Sequence, residues 1–325
     1  MIQIMLFDEI RKRLKPAEGI SDVVGELLGV SVSAAYRRIN GNKVLTILEL
    51  EKLCAEFGVS FDELMQTKTG NVTFRYHPAD IENLDNYRNY ISEITGMIST
   101  MSRQGNGEIL YSAEDIPLFH FLRCPELAFF KVYSWFIAVS GIKISFERFM
   151  DDIEERDSLY KNFKNLENSY LDIPSAEVWT NNTIDHILSA LQYADGMGVF
   201  EKRETLALLF SQLSSIIENI EKWAENGKKD NRGEFKWFYS AVNPENNFML
   251  MKNGAGCVVA IRLYAVKNIF TSNRAFCAET EKWIRSIMDK SQLISGSSAK
   301  ERFSFVQNQQ TKIDGLRTRL LDASM

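Results

Sequence analysis

The chain has 325 residues, 45% of them apolar, 25% charged and 11% aromatic, and carries a net charge of −5. These proportions match soluble globular chains and exclude disorder or low complexity as a description of the whole. The acidic balance excludes a uniformly basic nucleic-acid coat but is silent on a small local DNA-binding surface. At roughly 150 residues per domain the length allows about one to three domains.

Four cysteines, Cys54, Cys124, Cys257 and Cys277, lie far apart. They form no CxxC, and no histidine stands at ligand spacing from any of them, so the pattern predicts reduced, mostly buried thiols and no metal site. Met1–Leu6 is apolar, but Arg11, Lys12, Arg13 and Lys15 follow it. A secretory leader has the reverse order. The most apolar run, Leu127–Ile144, is interrupted by Lys131, Ser134, Ser140, Gly141 and Lys143. It reads as a buried helix rather than a membrane span. A cytoplasmic protein without membrane contact is expected.

In chain order, the first 68 residues read as five short helices. Phe7–Leu14 is stopped by Lys15-Pro16, because the residue before proline avoids the α region. Ser21 caps Ser21–Leu28, and Asp22 is favourable in its first turn. After the turn Gly29-Val30-Ser31, Ser31 caps Val32–Asn40, which Gly41 ends. Thr46 caps Ile47–Phe57, ending at Gly58, and Ser60 caps Phe61–Met65. The polar stretch Gln66–Asn71 reads as a linker. The domains expected are therefore 1–68 and 69–325.

Beyond the linker, Val72–Tyr76 alternates weakly, as a short strand would. Helical periodicity then predicts Ile81–Met101, Pro125–Val139, Phe146–Tyr170 and Thr205–Trp223. The last has Leu206, Leu209, Leu213, Ile216, Ile217, Ile220 and Trp223 on one stripe. Asn247–Met251 and Cys257–Ala265, joined through Asn253-Gly254, give a hairpin signal. Phe276–Met288 and Ser298–Leu321 read as helices. The last could pack internally or against a second subunit. The expected fold is mainly α: a five-helix module, then a larger α-rich α+β domain with a small antiparallel sheet.

The segment Ser21–Asn40, SDVVGELLGVSVSAAYRRIN, carries the clearest motif. Gly25 lets two helices cross closely, and Gly29 supplies a left-handed turn. Val30 can plug the angle between the helices, and Val24, Leu28, Ala35 and Ile39 can face inward. With Gly41 and the following helices, the segment resembles the helix-turn-helix of bacterial lambda-repressor-like regulators. It is also similar to regulators of one bacterial group that join this module to a long C-terminal domain. Two positions depart from the pattern. Arg38 stands where an apolar residue is usual, and Ala35 is smaller than the usual Val or Ile.

The resemblance implies a recognition helix, 32–40, in the major groove of double-stranded DNA. Val32, Ser33, Tyr36 and Arg37 would read bases: Val32 on a thymine methyl, Ser33 by hydrogen bonding, Arg37 on guanine or phosphate. Ser21, Arg38, Asn42 and Lys43 would contact phosphates. Tyr36 could instead be partly buried packing. The same helical arrangement also occurs as a packing or dimerisation module, and residues 1–68 hold nine Lys and Arg against ten Asp and Glu.

Other features read as structural. Gly254-Ala255-Gly256 lacks the rest of a dinucleotide fingerprint. His77, His120 and His186 have no neighbouring Ser or Cys. Asp151, Asp152, Glu154 and Glu155 read as a solvated helix face. Phe119, Phe121, Phe129, Phe130, Tyr133, Trp135 and Phe136 read as core, with an apolar ligand pocket as the alternative.

The function expected is a DNA-binding transcriptional regulator, not an enzyme, without a cofactor. It would act as a homodimer, its C-terminal domain serving dimerisation or sensing of a small-molecule or protein effector. Two alternatives remain open: a protein-interaction adaptor whose N-terminal module binds a partner protein, and an enzyme housed in the C-terminal domain.

Overall fold

A computed structural model describes residues 2–14, 18–59, 61–65, 71–76, 84–140, 144–153, 156–254, 256–264 and 267–322. The chain divides into two compact units, Met1–Thr73 and Phe74–Met325.

The first unit contains α1 (Ile2–Arg13), α2 (Ile20–Leu28), α3 (Val32–Ile39), α4 (Ile47–Phe57) and α5 (Phe61–Met65). α1 begins earlier than its charged half suggested. Leu6, Phe7 and Ile10 are fully buried and form the inner face of this helix, while Ile4 is exposed. They meet Val24, Ala35, Ile39, Leu53, Val59 and Leu64 in one core. α3 is capped by Ser31, whose side chain accepts from the amide of Ala34. α4 opens with a capping box between Thr46 and Glu49. The expected cap at Ser21 is corrected: Gly19 is the N-cap of α2, and Ser21 lies inside its first turn. The expected stop at Lys15-Pro16 and the cap at Ser60 lie outside the described residues.

The second unit opens with α6 (Leu84–Gln104), β1 (Glu108–Ala113) and α7 (Leu118–Phe121). Then come α8 (Pro125–Ser140), α9 (Phe146–Asp152), α10 (Arg156–Asp172), β2 (Ser175–Trp179), α11 (Asp185–Gly196), α12 (Arg203–Asn226) and β3 (Phe235–Tyr239). β4 (Phe248–Asn253), β5 (Gly256–Tyr264), β6 (Lys267–Thr271), α13 (Arg274–Asp289), β7 (Gln292–Leu293) and α14 (Ala299–Asp322) complete it. The expected single helix Phe146–Tyr170 is two, because Ile153 leaves α9 with extended backbone and is itself buried.

The expectation of a small antiparallel sheet is corrected. Among the described residues one seven-stranded mixed sheet forms, in the order β6-β5-β4-β1-β2-β3-β7. β1, β2 and β3 run parallel, and the remaining neighbours are antiparallel. β1 and β2 are buried on both faces, which erases the alternation that marks a half-buried strand, whereas β3 exposes Lys236. Val72–Tyr76 contributes only an isolated bridge, Arg75 to Phe270.

Ile109, Tyr111, Trp179, Phe235 and Trp237 face the larger core, which includes the apolar stripe of α12. Leu110, Ala176, Val178, Leu250 and Val259 face α13 through Cys277, Ile284 and Met288. α14 packs on α12 of the same chain, with Val306, Ile313 and Leu316 buried and Phe303 exposed. The aromatic run Phe119–Phe136 is mostly core, as its density suggested. His120 is buried, and its Nε2 lies 2.9 Å from Glu177, whose carboxylate also accepts from Tyr170 and Trp179. Burial alone would raise the pKa of Glu177, but His120 and the two hydroxyl and indole donors hold it below the usual value. No helix among the described residues is long and apolar enough to cross a membrane.

Candidate nucleic-acid interface

The site is built on the angle between α2 and α3. Gly29 closes α2 with φ +65°, a conformation that L side chains rarely adopt. The amide of Val30 then bonds to the carbonyl of Gly25 at 2.9 Å. A Cβ on Gly25 would stand 3.1 Å from the Val30 oxygen and 3.8 Å from the Ala35 methyl. Gly25 therefore permits the close crossing, and the small Ala35 opposite it fits the same space. The two departures from the motif become intelligible together, because the buried side of α3 is completed by Ile39 and Arg38.

Arg38 is buried at 4% exposure. Its Nε and Nη2 donate to Glu49 Oε1 at 3.0 and 2.6 Å, and Nη1 donates to the Ala34 carbonyl at 3.1 Å. Glu49 Oε2 accepts from the amide of Thr46 at 2.9 Å. The Arg38 guanidinium holds the Glu49 carboxyl below the ordinary carboxylate range. The phosphate contact expected of Arg38 is thus corrected: its charge is committed to fastening α3 to α4.

The opposite face of α3 is open. Val32 and Tyr36 are 51% and 58% exposed, and Ser33 and Arg37 are exposed beside them. Positions i, i+1, i+4 and i+5 share one side of a helix. Tyr36 is therefore free of the packing role left open for it. Asn42 and Lys43, in the turn after α3, are also exposed. Ser21 is half-buried in the first turn of α2, where the amides of Asp22 and Val23 bond to the Gly19 carbonyl. The acidic Asp22 in that turn opposes an approaching phosphate.

Two positioning residues escaped the sequence reading. Gln3 of α1 donates from Nε2 to the carbonyls of Arg38 and Lys43 at 2.6 and 2.7 Å, and its Oε1 accepts from the Leu45 amide at 3.1 Å. It pins the turn that carries Asn42 and Lys43. Glu49 is the second; its place three residues after Thr46 signals a capping box, but not its pairing with Arg38. The sequence reading also left unassigned an apolar group next to this turn, Val44, Ile47 and Leu48, all strongly exposed.

Cys54, Cys124, Cys257 and Cys277 are free thiols, Cys124 and Cys277 buried. Asp151 and Asp152 are exposed, while Glu154, Glu155, His77 and Ala255 lie outside the described residues. No group of three or more His, Cys, Asp or Glu suited to a metal occurs among the described residues.

Residues 10–64 match a family model described as helix-turn-helix, a match confined to the N-terminal unit. That module is a lambda-repressor-like helix-turn-helix, as the glycines and caps of Ser21–Asn40 suggested. No curated protein and no solved structure matches the chain.

Proposed function

We propose that this protein is a sequence-specific DNA-binding transcriptional regulator whose α3 enters the major groove. The observation that carries the reading is the open row Val32, Ser33, Tyr36 and Arg37 on a helix held by the Gly25–Gly29 crossing. Those four residues face base edges, with Asn42 and Lys43 set on the phosphates. The matched helix-turn-helix family supports the same reading. One such module buries little surface, so two copies on half-sites about one helical turn apart are needed for specificity. The second unit would hold that spacing as a homodimerisation or effector-sensing domain. On this reading the chain catalyses no reaction and needs no cofactor.

The test is selection of bound duplexes from a random library by the full chain, followed by gel shifts across salt concentrations. Enrichment of a pseudo-palindrome whose binding weakens steeply with salt is expected. Absence of any enriched duplex at low salt overturns the reading.

A second reading is favoured by Val44, Ile47 and Leu48, whose exposed apolar surface suits a protein contact. On it the module is an adaptor for a partner protein, and binding of that partner would be nearly salt-independent.

A further inference from the structure

Two of the four cysteines meet in the second unit. Cys257 is the second residue of β5 and is half-buried, and Cys277 ends the first turn of α13 and is 2% exposed. Both belong to the apolar layer between the sheet and α13, which also holds Leu110, Val259 and Ile284. The Cys277 Sγ lies 3.6 Å from the Cys257 carbonyl oxygen and 3.9 Å from that of Thr271, and the two thiols hydrogen-bond each other. Cys54 and Cys124 have no thiol partner among the described residues.

Packing alone does not call for two thiols in contact, because a buried cysteine behaves as a small apolar residue with a weak donor. The contact matters for reactivity, since the thiolate is the nucleophilic form. The hydrogen bond from Cys257, helped by the Val259 amide, lowers the Cys277 pKa against the burial that raises it. Giving that bond raises the pKa of Cys257, and burial adds to the rise. Cys277 is thus the sulfur readier to ionise. Cys257 stands where a resolving thiol is needed, beside it and nearer solvent.

We propose that Cys257 and Cys277 form a reversible oxidation site that closes to a disulfide on exposure to a hydroperoxide. In the first step the Cys277 thiolate attacks hydrogen peroxide. An S–O bond forms, the O–O bond breaks, and the hydroxide that leaves takes up a proton as water. Cys277 is then a sulfenic acid. In the second step the Cys257 sulfur attacks the Cys277 sulfur. The S–S bond forms, the S–O bond breaks, and the hydroxyl leaves with the Cys257 proton as a second water. In all, two thiols lose two electrons and two protons, and one peroxide is reduced to two waters. Hydrogen peroxide is little larger than water, which lets it pass the half-buried Cys257 where a bulky oxidant is kept out. The inference goes beyond DNA binding and does not depend on it.

The experiment treats the reduced full chain with graded hydrogen peroxide. The remaining thiols are then blocked with N-ethylmaleimide in denaturant, and the digested chain is read by mass spectrometry. A peptide linking Cys257 to Cys277 is expected before Cys54 or Cys124 is oxidised, and dithiothreitol should abolish it. In Cys257→Ser the link should be lost and Cys277 should be trapped by dimedone as the sulfenic acid. In Cys277→Ser the oxidation of Cys257 should be slower by about tenfold or more. The linked peptide is read on the unaltered chain, so the outcome does not depend on how either Ser variant folds. Three results overturn the proposal: no linked peptide forms while Cys54 and Cys124 remain reduced, the link joins either cysteine to Cys54 or Cys124, or it forms between two chains rather than within one.

Discussion

Arg38 and Glu49 form an ion pair 2.6 Å long across the α3–α4 junction, with the arginine side chain 5% exposed. An arginine occupies a place where the motif usually has an apolar residue, and Glu49 makes that tenable by accepting two of its hydrogen bonds while closing the cap at Thr46. Of the adjacent pair Arg37 and Arg38, only Arg37 is exposed.

The two arginines should therefore separate cleanly on substitution. Arg37→Ala is expected to leave stability within about 0.5 kcal/mol, as for an exposed site. It should weaken specific DNA binding by about 1–3 kcal/mol if Arg37 reads a base, and Lys43→Ala should lower the salt slope by about one unit. Gel shifts across salt concentrations read both effects. Unchanged binding in Arg37→Ala removes this residue from the interface.

Arg38→Ala should act on the fold. Breaking a fully buried pair costs roughly 3–5 kcal/mol, and because the Glu49 side chain is 17% exposed, about 2–3 kcal/mol is expected here. Arg38→Met with Glu49→Gln should recover most of the loss, since Gln retains the capping box and Met fills the apolar place. Amide hydrogen exchange of α3 and α4 in the full chain measures both variants.

The same pair predicts a pH dependence. The folded Glu49 has its pKa lowered from 4.5, first by the hydrogen bond from Arg38. A lowered folded value means stability that is present above the unfolded pKa and lost as pH falls through the folded one. The first unit should loosen at α3–α4 as pH drops below about 4.5, and Glu49→Gln should flatten that fall. Exchange rates against pH test it.

Gly25 sets the helix crossing. Gly25→Val is expected to force α2 and α3 apart, because even a Cβ meets the Val30 carbonyl at 3.1 Å. A loss of about 2 kcal/mol or more and of DNA binding together should follow. Gly29→Ala, in open space but at φ +65°, should cost only about 1 kcal/mol.

In the second unit, Lys229 is fully buried, donates to the Ile173 carbonyl and Ser175 Oγ, and lies 3.8 Å from the Tyr170 ring centre. Burial lowers its pKa to about 7, against partial opposition from Glu177 and Asp172. Between that value and the unfolded lysine value near 10.4, the unfolded chain binds the extra proton, so stability rises with pH. The denaturant midpoint should climb from about pH 7 to 9.5, and Lys229→Met should remove the slope. A slope that survives the substitution would refute this assignment.

Most of the first unit was legible because its signals are local. Ser31, Thr46, Gly29, Gly41 and Gly58 mark helix ends through the geometry of a few neighbouring residues. Ser21 misled because a hydroxyl two residues after Gly19 looks like a cap, while the chain used the glycine. The strands of the second unit were harder. β2, SAEVW, is fully buried yet holds Glu177, which only its bonds to His120, Tyr170 and Trp179 make tolerable. A carboxylate in a five-residue run does not read as a core strand until those partners are seen.

The sequence by itself determined the helix-turn-helix and most of the residues that α3 leaves exposed, because glycine conformations, caps and helical periodicity act within a few residues of the chain. Only the tertiary structure decided what Arg38 does, how Gln3 fixes the turn before Val44, and that Asp115 pairs with both Lys131 and Arg262. Those relationships join residues 11 to 147 positions apart. Ion pairing and burial depend on distance in space, which no local pattern along the chain encodes.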